Sequence, residues 1–111
     1  MRNFHAAAVE RRVIYKEELT SHPMECGWAS EAIFFIIVED IKGSSTNLNV
    51  AVEISADGIN WIPEGSQIAN INTIGHYFCK VNHFGNWLRV KGNIQGEGAE
   101  IKASVQLHLK S

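Results

Sequence analysis

Ala99-Glu-Ile-Lys-Ala-Ser-Val-Gln-Leu-His-Leu-Lys110, AEIKASVQLHLK, decides the fold class of this chain. Every odd position is apolar (Ala99, Ile101, Ala103, Val105, Leu107, Leu109), and every even one is polar. Successive side chains of a strand point to opposite faces, whereas a helix repeats every ~3.6 residues. Twelve residues of period two therefore specify a half-buried antiparallel strand.

The same signal recurs outward from that stretch. In Thr46–Ser55, TNLNVAVEIS, one face carries Leu48, Val50, Val52 and Ile54. In Trp87–Lys91 the alternation turns Leu88 and Val90 inward and Arg89 and Lys91 toward water. Ala32-Ile-Phe-Phe-Ile-Ile-Val38 is apolar throughout; it is far shorter than the ~20 residues of a membrane helix and reads as a buried strand. Breakers separate the runs at Gly43-Ser-Ser45, Asp57-Gly58, Glu64-Gly-Ser66, Gly75, Gly85-Asn86 and Gly96-Glu-Gly98, close to the 8–12-residue spacing typical of sandwiches and barrels. The pattern predicts one all-β domain, an antiparallel β-sandwich of about seven or eight strands, jelly-roll-like or immunoglobulin-like. Residues 1–12 are expected to form an arm that leads into a strand at about 13–19, with the sandwich over 13–111.

Asp57-Gly58 lies between two apolar runs, a strong hairpin signal, because a type I′ turn needs positive φ at both central residues. A two-residue loop sets Ile54 opposite Trp61 and Val52 opposite Pro63. Ile54, Trp61, Leu88 and Val90 then form part of the core. A four-residue loop keeps that pairing; a three-residue loop with a bulge would set Ile62 opposite Ile54 and turn Trp61 outward. Pro63 cannot donate to a ladder, so the return strand should end there or lie at an edge.

At 111 residues with 45% hydrophobic and 20% charged content, the chain has the composition of one soluble globular domain. A net charge of −2 with dispersed Lys and Arg argues against nucleic acid as a partner. The N-terminus lacks the apolar segment of a secretory signal, so synthesis is expected in the cytoplasm, with no membrane insertion. Cys26 and Cys79 match no zinc or redox spacing and are expected to be free buried thiols.

Catalytic constellations are not expected. His76 and Cys79 fall on opposite faces of a strand, and Cys79 and His83 lie ~13 Å apart along one, which argues against a metal site. There is no nucleophile elbow, and Glu17-Glu18 and Glu39-Asp40 are sequence neighbours that point apart. Gly96–Ala99 is too short for a phosphate cradle and reads as a turn. No cofactor is implied and the chain is expected not to be an enzyme. What remains are surfaces: the arm, with Arg2, Phe4, Arg11 and Arg12; the hairpin tip, with Asp57 and Asn60; and Trp28 and Trp87 as rings that could stack on a sugar.

Three stretches carry a resemblance: Gly27–Phe35, GWASEAIFF; Leu48–Trp61, LNVAVEISADGINW; and Asn86–Lys91, NWLRVK, with Ala103–Lys110, ASVQLHLK. Together they resemble small β-sandwich proteins encoded among the structural genes of tailed phages and prophages, which serve as capsid decoration and as head or tail accessory subunits. The Ser-x-Asp-Gly-x-x-Trp hairpin followed by Trp-Leu-Arg-Val-Lys is also similar to discoidin-type and other carbohydrate-binding sandwiches. The first resemblance implies a self-associating subunit of a virion or assembled particle that binds itself and a capsid or tail protein; the second implies a glycan ligand.

Overall fold

The computed structural model describes residues 4–111. It contains seven strands: β1 (Phe4–Tyr15), β2 (Glu18–Thr20), β3 (Met24–Glu25), β4 (Glu31–Ser55), β5 (Ile62–Ile71), β6 (Gly75–Asn82) and β7 (Trp87–Lys110). β4 and β7 are 25 and 24 residues long and pair antiparallel from Glu31↔Lys110 to Ser55↔Trp87. Laid straight, 25 residues would reach ~82 Å at ~3.3 Å per residue. The longest dimension of the molecule is 47 Å. Both strands are therefore creased, and one hydrogen-bonded sheet folds over into two layers.

The crease lies where β4 and β7 have their register shifts, between Val38 and Asn47 on the β4 side. Gly43 (φ 105°) and Gly96 (φ 127°) sit there in the left-handed region, which glycine alone enters without steric cost. A Cβ on Gly43 would stand 2.7 Å from the Glu97 carbonyl oxygen, and one on Gly96 2.9 Å from that of Ser44. Thr46 ties the bend inward, its Oγ1 donating to the Lys42 carbonyl at 2.8 Å. Gly43-Ser-Ser45 and Gly96-Glu-Gly98, expected to be turns between strands, are thus bends within strands. Their glycines permit close crossing of two backbones that both go on.

On one side of the crease lie β1, the second half of β7, the first half of β4, and β6; on the other lie β2 and β3, the first half of β7, the second half of β4, and β5. With β2 and β3 taken as one interrupted strand and β4 and β7 as two each, the order is first-eighth-third-sixth against second-seventh-fourth-fifth. That is the jelly roll, the first of the two expected topologies. Between the layers are Phe34, Ile36 and Val38, Leu48, Val50 and Val52, Leu88 and Val90, and Ile101 to Leu109 at alternate positions, all buried. The alternation read from Ala99–Lys110 and from Leu48–Val52 is the burial pattern observed.

Three local expectations differ from the structure. Residues 4–12, expected as an arm, are the greater part of edge strand β1, in register from Phe4↔Lys110 to Ala8↔Gln106 and then bulged on either side of Glu10. The partner that makes this segment a strand is β7, far away in sequence, and no local propensity reports it. The expected strand at about 13–19 is instead the end of β1 and the start of β2, parted at residues 16–17. In the hairpin, Ile54 opposes Ile62, and Glu53 opposes Pro63. Only Gly58 of the central pair has positive φ, and the loop is wider than two residues. Pro63 does lie in an edge strand, but β5 runs on for ten residues.

Candidate binding face

The outer surface of the β1-β7-β4-β6 layer carries the residues that alternate with the core. On β4 these are Ile33, Phe35 and Ile37, half-buried between their buried neighbours. The run Ala32–Val38, expected to be a buried strand, gives its even positions to the core and its odd ones to the surface. Nothing covers that surface among the described residues. Cross-strand pairing fixes what stands beside Phe35: Phe78 on β6 and Gln106 on β7.

An aromatic row crosses all four strands of this layer. Phe4 meets His108 edge-on at 5.7 Å between ring centroids, His108 meets Phe35 at 4.8 Å, and Phe35 meets Phe78 at 6.3 Å. These are the separations at which rings attract one another beyond simple burial. Phe4 and Phe78 are nevertheless 59% and 57% exposed, unusual for large apolar side chains that share a patch. His108 is held in the row by its Nε2, 3.2 Å from Gln106 Oε1.

A cleft of about 490 Å³ opens over one end of the row, lined by Phe4, Ile33, Phe35 and His108 on its floor and by Lys80, Lys110, Glu31 and Asn82 on its rim. The Lys110 ammonium stands 5.9 Å from the Phe4 ring. Neither lysine is ion-paired among the described residues.

The residues singled out from the sequence are dispersed. Arg2 lies outside the described residues. Phe4 is in the aromatic row. Arg11 is exposed at the β1 bulge, and Arg12, with φ 51°, points its Nε at Glu39 Oε2 at 3.1 Å. Trp28 is 46% exposed in the loop before β4 and shares a shallow recess with Phe4, His5, Met24 and Glu25. Trp87 is half-buried, its ring lying against Gly58.

Trp61 is not part of the core. It lies on the outer surface of the second layer, where Arg89 Cζ sits 4.3 Å from its ring centroid and Arg89 Nε contacts Glu53 Oε1 at 2.7 Å. The wider loop sets Ile62 opposite Ile54 and thereby rotates Trp61 to the Glu53 and Arg89 side. Of the four expected core residues, Leu88 and Val90 are fully buried and Ile54 partly so.

Asp57 and Asn60 at the tip are occupied by each other. The Asp57 carboxylate accepts from the Asn60 and Ile59 backbone N–H groups at 2.8 Å each, from Asn60 Nδ2 at 2.9 Å and from Ser55 Oγ at 2.9 Å. The backbone donors, Asn60 first, hold the carboxyl well below its ordinary value, since hydrogen bonds to the charged form favour it. Ser55 Oγ also accepts from the Gly58 N–H at 2.8 Å. This network explains the wide loop: a carboxylate that caps two successive amides stabilises a longer turn than type I′.

Cys26 and Cys79 are unpaired and buried. Burial, aided by the nearby charges of Glu25 and Glu64 respectively, pushes each thiol up to about 11. Thiols so protonated near neutrality are poor nucleophiles.

No family model matches this chain, and no curated protein matches it. Solved structures share its fold. It is similar to the SPBc2 prophage-derived protein YomS at 10% identity, over 100% of this chain and 96% of that chain, with a TM-score of 0.56. It is similar to a chain of the infectious bursal disease virus Gx strain at 10% identity and TM-score 0.62, covering 98% of this chain and 32% of that one. A family 29 carbohydrate-binding module aligns at 8% identity and TM-score 0.50, over 96% and 89% of the two chains. The chain thus spans about a third of the bursal disease virus chain. At these identities the likeness is one of fold. Its neighbours include virus and prophage proteins on one side and carbohydrate-binding modules on the other.

Proposed function

We propose that this chain is a non-enzymatic structural subunit that self-associates or decorates a phage-like particle, as a capsid, head or tail accessory protein. The observation that carries this reading is the free edge of β1. From Phe4 to Ala8 that strand is in regular register with β7 on one side only among the described residues, and beyond Phe4 its outward residues are small, Ala6 and Ala8, both exposed. Regular edges with small side chains are templates for strand addition, and natural proteins usually blunt them with charge or a bulge. Here the bulges come later, around Glu10. The near end-to-end fold likeness to a prophage-derived protein of similar length supports the same reading. The test is light scattering during size-exclusion chromatography, with electron microscopy of the same fractions. Species larger than a monomer that Ala6→Lys with Ala8→Lys dissociates are expected; a clean monomer at high concentration that forms no rings, tubes or particles would overturn self-association.

A second reading, a carbohydrate-binding module, is favoured by Trp28. An indole exposed beside Phe4 and Met24 presents an apolar face to solvent at a recess, which suits the apolar face of a sugar ring. Glycan-array binding abolished by Trp28→Ala would support it, and an array without signal would remove it. Trp87, with a ring face on Gly58, is the weaker candidate.

A further inference from the structure

We propose that the aromatic face of the β1-β7-β4-β6 layer binds an acidic saccharide, a short uronate-containing chain laid along the Phe4-His108-Phe35-Phe78 row with its carboxylates toward Lys80 and Lys110. This inference rests on the glycan reading and moves it from the Trp28 recess to a neighbouring site that shares only Phe4 with it, and narrows it to one chemical class. Three features of the face select that ligand.

The first is the combination of floor and rim. Aromatic rings and Ile33 offer an apolar floor, the two lysines offer positive charge, and Asn82, Glu31 and Gln106 offer partners for hydroxyl groups. Pockets that combine an apolar floor with a few placed polar groups fix a ligand's orientation through those groups. A uronate ring has an apolar face, hydroxyls and a carboxylate in one rigid unit. The row spans three inter-strand gaps, about 14 Å at the ~4.8 Å spacing of strands, so it suits a chain rather than a single ring.

The second is that peptide is a poor fit. Strand addition needs free backbone groups, and here the backbones under Phe35 and His108 belong to the central strands β4 and β7, each paired on both sides. A ligand on this face must be read by side chains alone.

The third is charge. The chain as a whole carries −2, yet the cleft has two lysines against one glutamate. Glu31 and Lys110 are cross-strand partners, but neither lysine is ion-paired among the described residues. A second copy docked face to face through this cleft would set its lysines against their own kind, whereas an anion meets two ammonium groups that have no ion-pair partner among the described residues. Such charges favour an anion most at low ionic strength.

The test is calorimetric titration with the tetramers of galacturonate, mannuronate and glucuronate, each alongside its methyl ester, which keeps the rings and removes the charge. At least one acid should bind, its ester should bind about tenfold more weakly or not at all, and added salt should weaken the acid. Lys80→Gln with Lys110→Gln should raise its dissociation constant about tenfold or more, and Phe78→Ser, in the row but away from the Trp28 recess, should weaken it independently; all these side chains are exposed, so the fold, checked by circular dichroism, should persist. No binding by any tetramer at roughly millimolar concentration overturns the inference, as does equal binding of acid and ester, or variants that bind like the parent. Neutral glycans bound through Trp28 but indifferent to these variants would leave the glycan reading standing and remove this one. Face variants that change the scattering mass instead would make the face an interface between copies, which also overturns it.

Discussion

The two outer faces of this jelly roll are built on the same two strands and are chemically unlike. On the first layer β4 shows Ile33, Phe35 and Ile37 to the outside, beside Phe78 and His108. On the second layer the same strand shows Asn49, Ala51 and Glu53, beside Asn93, Lys91 and Arg89 of β7. The inner faces are equally apolar on both sides of the crease. Core packing therefore explains the inner pattern, and it leaves the apolar character of one outer face without a role in holding the layers together. The polar outer face is closed on itself by Glu53, Arg89 and Trp61; the apolar one is open.

The sharpest way to break this comparison is at two neighbouring residues. Phe34→Ala should cost ~3–5 kcal/mol as a fully buried aromatic truncation, while Phe35→Ala, one position along and on the outer face, should cost ~1–2 kcal/mol; equal losses in urea unfolding would mean that the outer face is core after all. Next in size is Trp61→Ala, which removes a half-buried indole and its contact with Arg89. About 1–2 kcal/mol is expected, and a loss near that of Phe34→Ala would restore Trp61 to the core. Phe78→Ser should change stability by less than ~1 kcal/mol, since it loses one cross-strand pair, yet lower the binding of a hydrophobic dye to the native protein. Unchanged dye binding would place the apolar patch elsewhere.

The smallest effect belongs to the tip. Asp57 has a lowered pKa in the folded state, so its contribution is fully present above the ordinary carboxylate value of 3.8 and is lost as pH falls below it. Thermal unfolding of Asp57→Ala and of the parent should therefore differ most near neutrality and converge toward about pH 2. A constant difference across that range would show that the carboxylate's charge is not what stabilises the loop.

Much of the fold was legible because alternation is a local signal. Ala99–Lys110, Leu48–Val52 and Leu88–Val90 each state which face is inside, and the structure buries those positions. Three things were not legible. The pairing of residues 4–12 depends on β7, at the other end of the chain, while the local sequence is merely alanine-rich. The loop at Asp57-Gly58 depends on side-chain hydrogen bonds from Ser55, Asp57 and Asn60, which override the dipeptide's preference for a tight turn. The crease depends on where two glycine-containing stretches meet in space. The candidate face was missed for a different reason: an apolar run such as Ala32–Val38 reads as a buried strand, but a sheet with no helix to cover it among the described residues must leave one side outside. His76-Tyr-Phe-Cys-Lys-Val81 held a second signal, since Phe78 breaks an otherwise polar outer alternation.

The crease through β4 and β7 also determines how this molecule responds to force and to thermal agitation. A sandwich whose layers are joined only by loops can shear or splay at its linkers, but here the two central strands of each layer are halves of the same two strands, β4 and β7, so neither layer can peel away while the other stays intact. Amide exchange should accordingly show the same level of protection in the paired stretches of β4 on either side of the bend, Phe34–Val38 and Leu48–Val52, with faster exchange confined to the bulged residues between them. Such a unit behaves as one stiff block, and in any larger structure that holds it, the compliance must come from the loops at its open end and from the contacts made by its edges.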